Sequence, residues 1–310
     1  MRQYSLQDIL LHIPEPYKIV GNSKRRFFTN IKPILESNEE SLVFINSDQK
    51  EKVNLVKQTK AHLIICDSSI SVDLEMLQKK CLIMVDNPKI AIARIASALF
   101  KRNVEYGIHS TAFVHPDVQL HPQTYIGPFS YIGRCIIGKG TIIHGHSYLY
   151  DDVEIGNNVV IHAGCVLGSA GFGFSRDEKN GIYEFPHIGK VIIDDDVELQ
   201  ADCHVSRGAL GDTIIGKGSK FDSGCHIAHN VKIGKYCLVA AHAMIAGSVI
   251  IGNYVWIGPC AVISDYVTIN DNANISIGAV VTRNVNPYEH VSGNFAINHA
   301  KFIQFIKRIR

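Results

Sequence analysis

From Ile215 onward a large apolar residue returns at every sixth position: Ile215, Phe221, Ile227, Ile233, Val239, Ile245, Ile251, Ile257, Ile263, Ile269, Ile275 and Val281. The next residue is often glycine, as in IGKGSK, IGKYCL, IGNYVW and IGPCAV. The fourth residue after the aliphatic is small or β-branched, as at Ser219, Cys225, Val231, Cys237 and Ala243. An earlier array runs Val114, Leu120, Ile126, Ile132, slips by one residue, and resumes at Ile137, Ile143, Leu149, Ile155, Ile161 and Leu167. A six-residue period is neither the 3.6 of a helix nor the 2 of a strand; it predicts a short strand plus a turn, repeated. One such unit cannot bury its own aliphatic, so the units must stack into a solenoid with the aliphatics inside. The glycine is expected to supply a turn that a side chain would hinder. The small residue is expected to fit the narrow interior.

The array breaks twice. GSAGFGFSRDEKNGIYEFPHIG, residues 168–189, has a charged, Gly-rich middle between aromatic ends and predicts a packed, extruded loop. In VSRGALGDTI, residues 205–214, ten residues replace six. Long excursions from a regular scaffold carry binding or assembly. Before about residue 105 there is no hexad. There SLVFI, AHLIICD and CLIMVD read as buried strands, and QKEKVNLVKQT and NPKIAIARIASALF as helices, the latter with Pro88 in its first turn. The expected domains are an α/β domain over 1–105, the solenoid over 106–288, and a helical tail over 289–310 with an apolar face of Phe302, Ile303, Phe305, Ile306 and Ile309.

A formal net charge of +2 gives no bulk attraction to nucleic acid or to a membrane surface. No secretory pattern and no apolar run of membrane-spanning length is visible, so a soluble, cytoplasmic protein is expected. The eight cysteines form no CxxC pair. Cys203, Cys225 and Cys237 fall on small interior positions, consistent with reduced thiols used as core filler.

The hexads resemble the left-handed parallel β-helix of hexapeptide acyltransferases, in which three hexads make one triangular coil. The same coil also occurs in carbonic anhydrase-like and purely structural proteins, so it does not decide chemistry alone. Nearly the whole chain resembles the UDP-3-O-(3-hydroxyacyl)glucosamine N-acyltransferases of lipid A biosynthesis. The likeness rests on SLVFIN, KAHLIICD, VDNPKIAIARI, GFGF, RGALGDTIIG, FDSGCHIAHNVKIG and IAGSVIIGNY. It implies a homotrimer with active sites between subunits and an N-terminal domain that helps hold the nucleotide. It also implies acyl transfer from acyl carrier protein to the 2-amino group of a nucleotide-linked sugar, with no permanently bound cofactor.

The family's likeness assigns the general base to His229 and the oxyanion donor to the amide of Gly247, one coil higher and about 4.8 Å away. A histidine near neutrality suits removal of a proton from an attacking amine, and a fixed N–H suits the oxyanion of a thioester intermediate. Several positions depart from the family. Phe44 matches one of an aromatic pair that holds uracil, and Lys50 stands at the other. Tyr266 replaces a second histidine, while Ala170 and Ser206 stand at acidic positions. The stretch SIGAVVTRNVNPYEHVSGN is similar to sugar acetyltransferases that use acyl-CoA, so acyl carrier protein and coenzyme A thioesters both stand as donors.

His226 is either a substrate contact or an exposed corner. His226-x-x-His229 lacks a third ligand at zinc spacing, so no metal is expected. The other histidines are expected at solvated corners, except His242, a candidate substitute for the second histidine. Phe44 stacks on a base or is core. Arg283 is the candidate for donor phosphates. The basic tail of Lys301, Lys307, Arg308 and Arg310 meets an acidic carrier, meets coenzyme A phosphates, or is a solvated helix end. A non-catalytic scaffold and a metal-dependent hydratase remain alternatives.

Overall fold

The computed structural model describes residues 2–24, 27–71, 73–100, 104–293 and 299–309. Arg310 of the basic tail and the side chains of Phe302 and Ile309 lie outside what is described. Backbone contacts divide the chain into two units, Met1–Asn103 and Val104–Arg310.

In the first unit the apolar runs Ser41–Phe44, Leu63–Cys66 and Cys81–Met84 are adjacent parallel strands. Asn30–Ile31 continues the sheet in parallel at one edge, and Lys18–Gly21 runs antiparallel at the other. Leu63–Cys66 is buried along its whole length, as a parallel strand covered on both faces must be. One face packs Leu42, Leu63 and Ile83 against Ile9, Ala91 and Ile95; the other packs Val43, Ile64 and Leu82 against Val56. The helix Pro88–Phe100 opens on Pro88, and the Asn87 side-chain oxygen accepts the Ile90 N–H at 3.1 Å.

The second unit is the left-handed parallel β-helix that the resemblance implies. Among the described residues its strands form three parallel sheets. Sheet I has ten strands from Gly107–Ile108 to His290–Val291, sheet II nine from Phe113–Val114 to Val280–Val281, and sheet III eight from Gln119–Leu120 to Thr268–Ile269. Register is set by the hexads: Ile227 pairs with Ile245, Ile245 with Ile263, and Ile263 with Val281. The one-residue slip appears as Ile132 opposite Leu149. The two excursions appear as Ile155 opposite Ile193 and Val205 opposite Ile227. The hexad aliphatics from Ile215 to Val281 are buried in one continuous cluster.

The glycines after the aliphatics are there for a different reason than a turn. The left-handed backbone falls two residues later, at Asn230, Tyr236, His242, Ser248 and Tyr266, with φ between 56° and 62°. Each such non-glycine residue costs about 1–2 kcal/mol of local strain. The site is held by the coil below, as when the Tyr266 N–H donates to the Gly247 carbonyl at 3.1 Å. The glycines answer to close coil-on-coil approach instead: a Cβ on Gly234 would lie 2.4 Å from the Gly252 oxygen.

Seven cysteines are buried, and only Cys260 is exposed. Cys203, Cys225 and Cys237 donate their thiols to carbonyls of the next coil at 3.2, 3.2 and 3.1 Å. Burial pushes the Cys135 thiol up to about 12, so it stays an unreactive thiol. The tail forms the helix His299–Ile309 with Lys307 and Arg308 in its last turn. No helix among the described residues is long and apolar enough to cross a membrane.

Candidate functional site

The corner between sheets II and III carries one residue per coil at the second position after the aliphatic. Going up the helix these are Arg207, His229, Gly247, Asp265 and Arg283. Neighbours in this column are one strand spacing apart, about 4.8 Å. Gly247 therefore stands directly over His229. A Cβ at Gly247 would come 2.8 Å from His229 Cε1 and 2.9 Å from Nε2, so glycine is what lets the imidazole lie along this backbone.

Asn230 sets the orientation of that imidazole. Its side-chain oxygen accepts the Ala209 N–H at 3.0 Å, and its NH2 donates to the Gly211 carbonyl at 3.1 Å. Its own N–H donates to Thr213 Oγ1 at 2.9 Å. The oxygen so fixed lies 3.1 Å from His229 Nδ1. An oxygen only accepts, so Nδ1 carries the proton and Nε2 keeps its lone pair beside Gly247. The second excursion thus acts on His229 through Asn230, and Asn230 tolerates the left-handed backbone that this corner requires.

The first excursion roofs the same corner. It is a hairpin pairing Phe174–Arg176 with Ile182–Glu184, closed where Asp177 accepts the Lys179 and Gly181 amides at 2.9 and 2.7 Å. A Cβ on Gly171 would lie 2.8 Å from His229 Cδ2, and one on Gly173 would lie 2.6 Å from His187 Cε1. His187 meets His229 edge to face, with ring centroids 5.1 Å apart. It is 9% exposed, and neither ring nitrogen makes a hydrogen bond of full geometry among the described residues, the Phe185 carbonyl only opposing the fall of its pKa from nearby. Burial first, and the neighbouring His229 second, hold its pKa below the usual imidazole value. The two excursions brace each other: the Ile188 N–H donates to the Ala209 carbonyl at 2.8 Å, and Arg207 Nε donates to the Gly189 carbonyl at 2.9 Å.

Two adjoining cavities of 380 Å³ flank His229. One is lined by Phe172, Phe174, Phe185, His187, Gly247, Asp265 and Tyr266. The other is lined by Gly171, His204, Ser206, His226, Met244 and Gly247. In the second, His204 and His226 stack with centroids 4.9 Å apart and their Nδ1 atoms 3.1 Å apart. Ser169 Oγ lies 2.7 Å from His204 Nε2. Burial lowers the pKa of both rings, and His226 lowers that of His204 further.

His229, Gly247, His226 and Tyr266 therefore share one cleft, with Tyr266 at its rim and 77% exposed. Arg283 is exposed at the same corner, two strand spacings above Gly247, about 10 Å. His242 is exposed at the corner between sheets I and II, not at this one, because half a dozen residues carry the chain on to the next corner. In the N-terminal unit Phe44 lines a cavity of 880 Å³ with Lys32, Asn46, Asp48 and Lys89, at the carboxyl ends of parallel strands. Lys50 is exposed and is not among that cavity's lining residues. This cavity is larger than those beside His229, but no histidine lines it.

Reading the sequence missed Asn230, His187 and His204. His187 and His204 correct the expectation of solvated histidines: one is covered by the hairpin, the other half-buried by its stacked neighbour. The visible signal was that His187 closes the first excursion and Asn230 follows the candidate base. Among the described residues no three His, Cys, Asp or Glu side chains are arranged to hold a metal.

The family model for bacterial transferase hexapeptides (six repeats) matches residues 134–169 and 212–247. A UDP-3-O-acylglucosamine N-acyltransferase from Coxiella burnetii is 33% identical over 263 residues, covering 77% of this chain and 73% of that one. The solved structure of LpxA from Acinetobacter baumannii aligns with a TM-score of 0.55 at 27% identity, covering 65% of this chain and 77% of that one. The UDP-N-acetylglucosamine acyltransferase of Francisella novicida shares the fold with a TM-score of 0.56 at 23% identity, covering 64% and 73%. With the coil, the RGAL excursion and the His229 corner in hand, the extent of the Coxiella likeness decides the matter: the chain belongs to the UDP-3-O-acylglucosamine N-acyltransferase family.

Proposed function

We propose that the protein moves an acyl group from a thioester donor to the amino group of a nucleotide-linked amino sugar, with His229 as general base and the Gly247 amide as oxyanion donor. The neutral amine attacks the thioester carbonyl carbon and forms the C–N bond. His229 Nε2 takes the proton from that nitrogen, and the Gly247 N–H donates to the oxyanion. Collapse breaks the C–S bond, and the imidazolium returns the proton to the leaving thiolate. The observation that carries this reading is the tautomer: Nδ1 donates to Asn230, leaving the Nε2 lone pair beside Gly247. The Gly247 N–H has no acceptor among the described residues, which leaves it free for the oxyanion.

The Phe44 cavity, with Asn46 and Lys89, is suited to the base and phosphates of the nucleotide. Arg283, in the His229 column, is suited to donor phosphates. Exposed Leu238, Trp256, Met244 and Val262 on the coil faces favour a homotrimer, which sedimentation tests by giving three times the chain mass. A cytoplasmic setting fits a carrier-protein or coenzyme A donor. A second reading, short-acyl transfer from acyl-CoA, rests on the likeness of SIGAVVTRNVNPYEHVSGN to sugar acetyltransferases.

The test measures thiol release from acetyl-CoA and from 3-hydroxyacyl carrier protein, each with UDP- and dTDP-linked amino sugars. Turnover only with the carrier protein and a UDP-3-O-acyl sugar supports the lipid A reaction. Turnover with acetyl-CoA and an unacylated sugar supports the second reading. His229→Ala turning over like wild type removes His229 as base.

A further inference from the structure

We infer that His187 is a substrate-contacting residue of this site, holding a hydroxyl of the acceptor sugar beside His229 through one of its unpartnered ring nitrogens. The inference rests on the acyl-transfer reading above.

A neutral imidazole has one donor and one acceptor. His187 is 9% exposed, and neither of its nitrogens makes a hydrogen bond of full geometry among the described residues. A buried polar atom left in that state destabilises the folded chain. Glycine stands at two positions that press on this ring: a Cβ on Gly173 would lie 2.6 Å from Cε1, and one on Gly171 3.0 Å from Nε2. The excursion thus makes room for a polar ring that the folded chain leaves unsatisfied. That is the signature of a group awaiting a ligand.

The chemistry of the ligand follows from the ring. A hydroxyl donates and accepts, and so can pair with whichever nitrogen faces it, in either tautomer. A phosphate or carboxylate would meet only the donor, and an ammonium only the acceptor. The same cavity has Phe172, Phe174 and Phe185 in its wall, which suit the C–H face of a sugar ring. With ring centroids 5.1 Å apart, a hydroxyl held by His187 lies next to the atom from which His229 takes its proton.

The experiment compares wild type, His187→Leu and His187→Gln in thiol release and in thermal unfolding. Leu removes the unsatisfied polar atoms and keeps an apolar filler, so H187L is expected to melt at or above the wild-type temperature. Its kcat/KM for the acceptor is expected to fall about tenfold to hundredfold, while the donor KM stays put. H187Q, which keeps a donor and an acceptor, recovers most of the loss. In a set of monodeoxy acceptors, one loses the same factor with wild type and nothing further with H187L. Wild-type acceptor kcat/KM in H187L overturns the inference while leaving the acyl-transfer reading intact. Equal losses toward donor and acceptor, with a lowered melting temperature, also overturn it, since they mark a structural histidine. A wild type that turns over no donor–acceptor pair sinks the acyl-transfer reading and this inference with it.

Discussion

The corners of His229 and His242 belong to the same coil, are built on the same hexad, and differ in everything that matters for chemistry. At the His242 corner the chain turns through a left-handed residue, His242 itself. The side chain is exposed, and among the described residues no hydrogen bond orients its ring. At the His229 corner one excursion fixes Asn230 and through it the imidazole tautomer, while the other roofs the ring with Gly171, Gly173 and His187. A regular solenoid offers the same bare corner many times. A reactive corner is one where insertions supply the second set of contacts that pre-organises a side chain.

Removing the proposed base breaks the contrast hardest. His229→Ala is expected to lower kcat about 10²–10⁴-fold, read by thiol release. Gly247→Ala puts a methyl 2.8 Å from His229 Cε1, in the space of the ring and beside the oxyanion donor. A drop of about 10²–10³-fold in kcat is expected, with the circular dichroism of the coil unchanged. Asn230→Gly keeps the left-handed backbone and removes the group that holds the tautomer. A loss of about a hundredfold in kcat, larger than the change in KM, would set positioning apart from binding. His242→Gln should leave turnover and the kinetic pH profile within about twofold of wild type, as suits an exposed corner.

The last way to sharpen the comparison is pH. Burial holds the pKa values of His187, His204 and His226 below that of a free imidazole, about 6.5. Between those lowered values and about 6.5 the unfolded chain binds more protons than the folded one, so stability falls as pH drops through that window. Denaturant unfolding at a series of pH values should show this decline. His204→Gln combined with His226→Gln should make the decline shallower, leaving the part that comes from His187.

The coil was legible because each hexad aliphatic has one place to go, the interior, and a missed register would expose every one of them. The excursions were legible as failures of the same period. The contents of the cleft were less so. His187 is reached only by folding the hairpin back, and its partner His229 lies two coils away in sequence. His242 misled because neighbours in a six-residue repeat are on different corners, while residues one full coil apart touch. In the N-terminal unit the buried central strands stood out, but the edge strands Lys18–Gly21 and Asn30–Ile31 are only partly buried and carry no period. The glycine after each aliphatic was visible, but its reason was not. That a Cβ there would clash with the coil above is a fact of stacking, not of local turn preference.

The bracing of one excursion against the other has a consequence for how such a protein changes over time. Arg207 ties the RGAL segment to Gly189 and to Asp152, and Ile188 ties the hairpin's exit to Ala209. The pair behaves as a cassette clipped onto an otherwise indifferent ladder. Its hairpin can be rewritten residue by residue to admit a different sugar while the base and the amide beneath it stay untouched. A deletion in either half unclips both, so new specificities in this lineage are expected to arise by substitution within the cassette and not by trimming it.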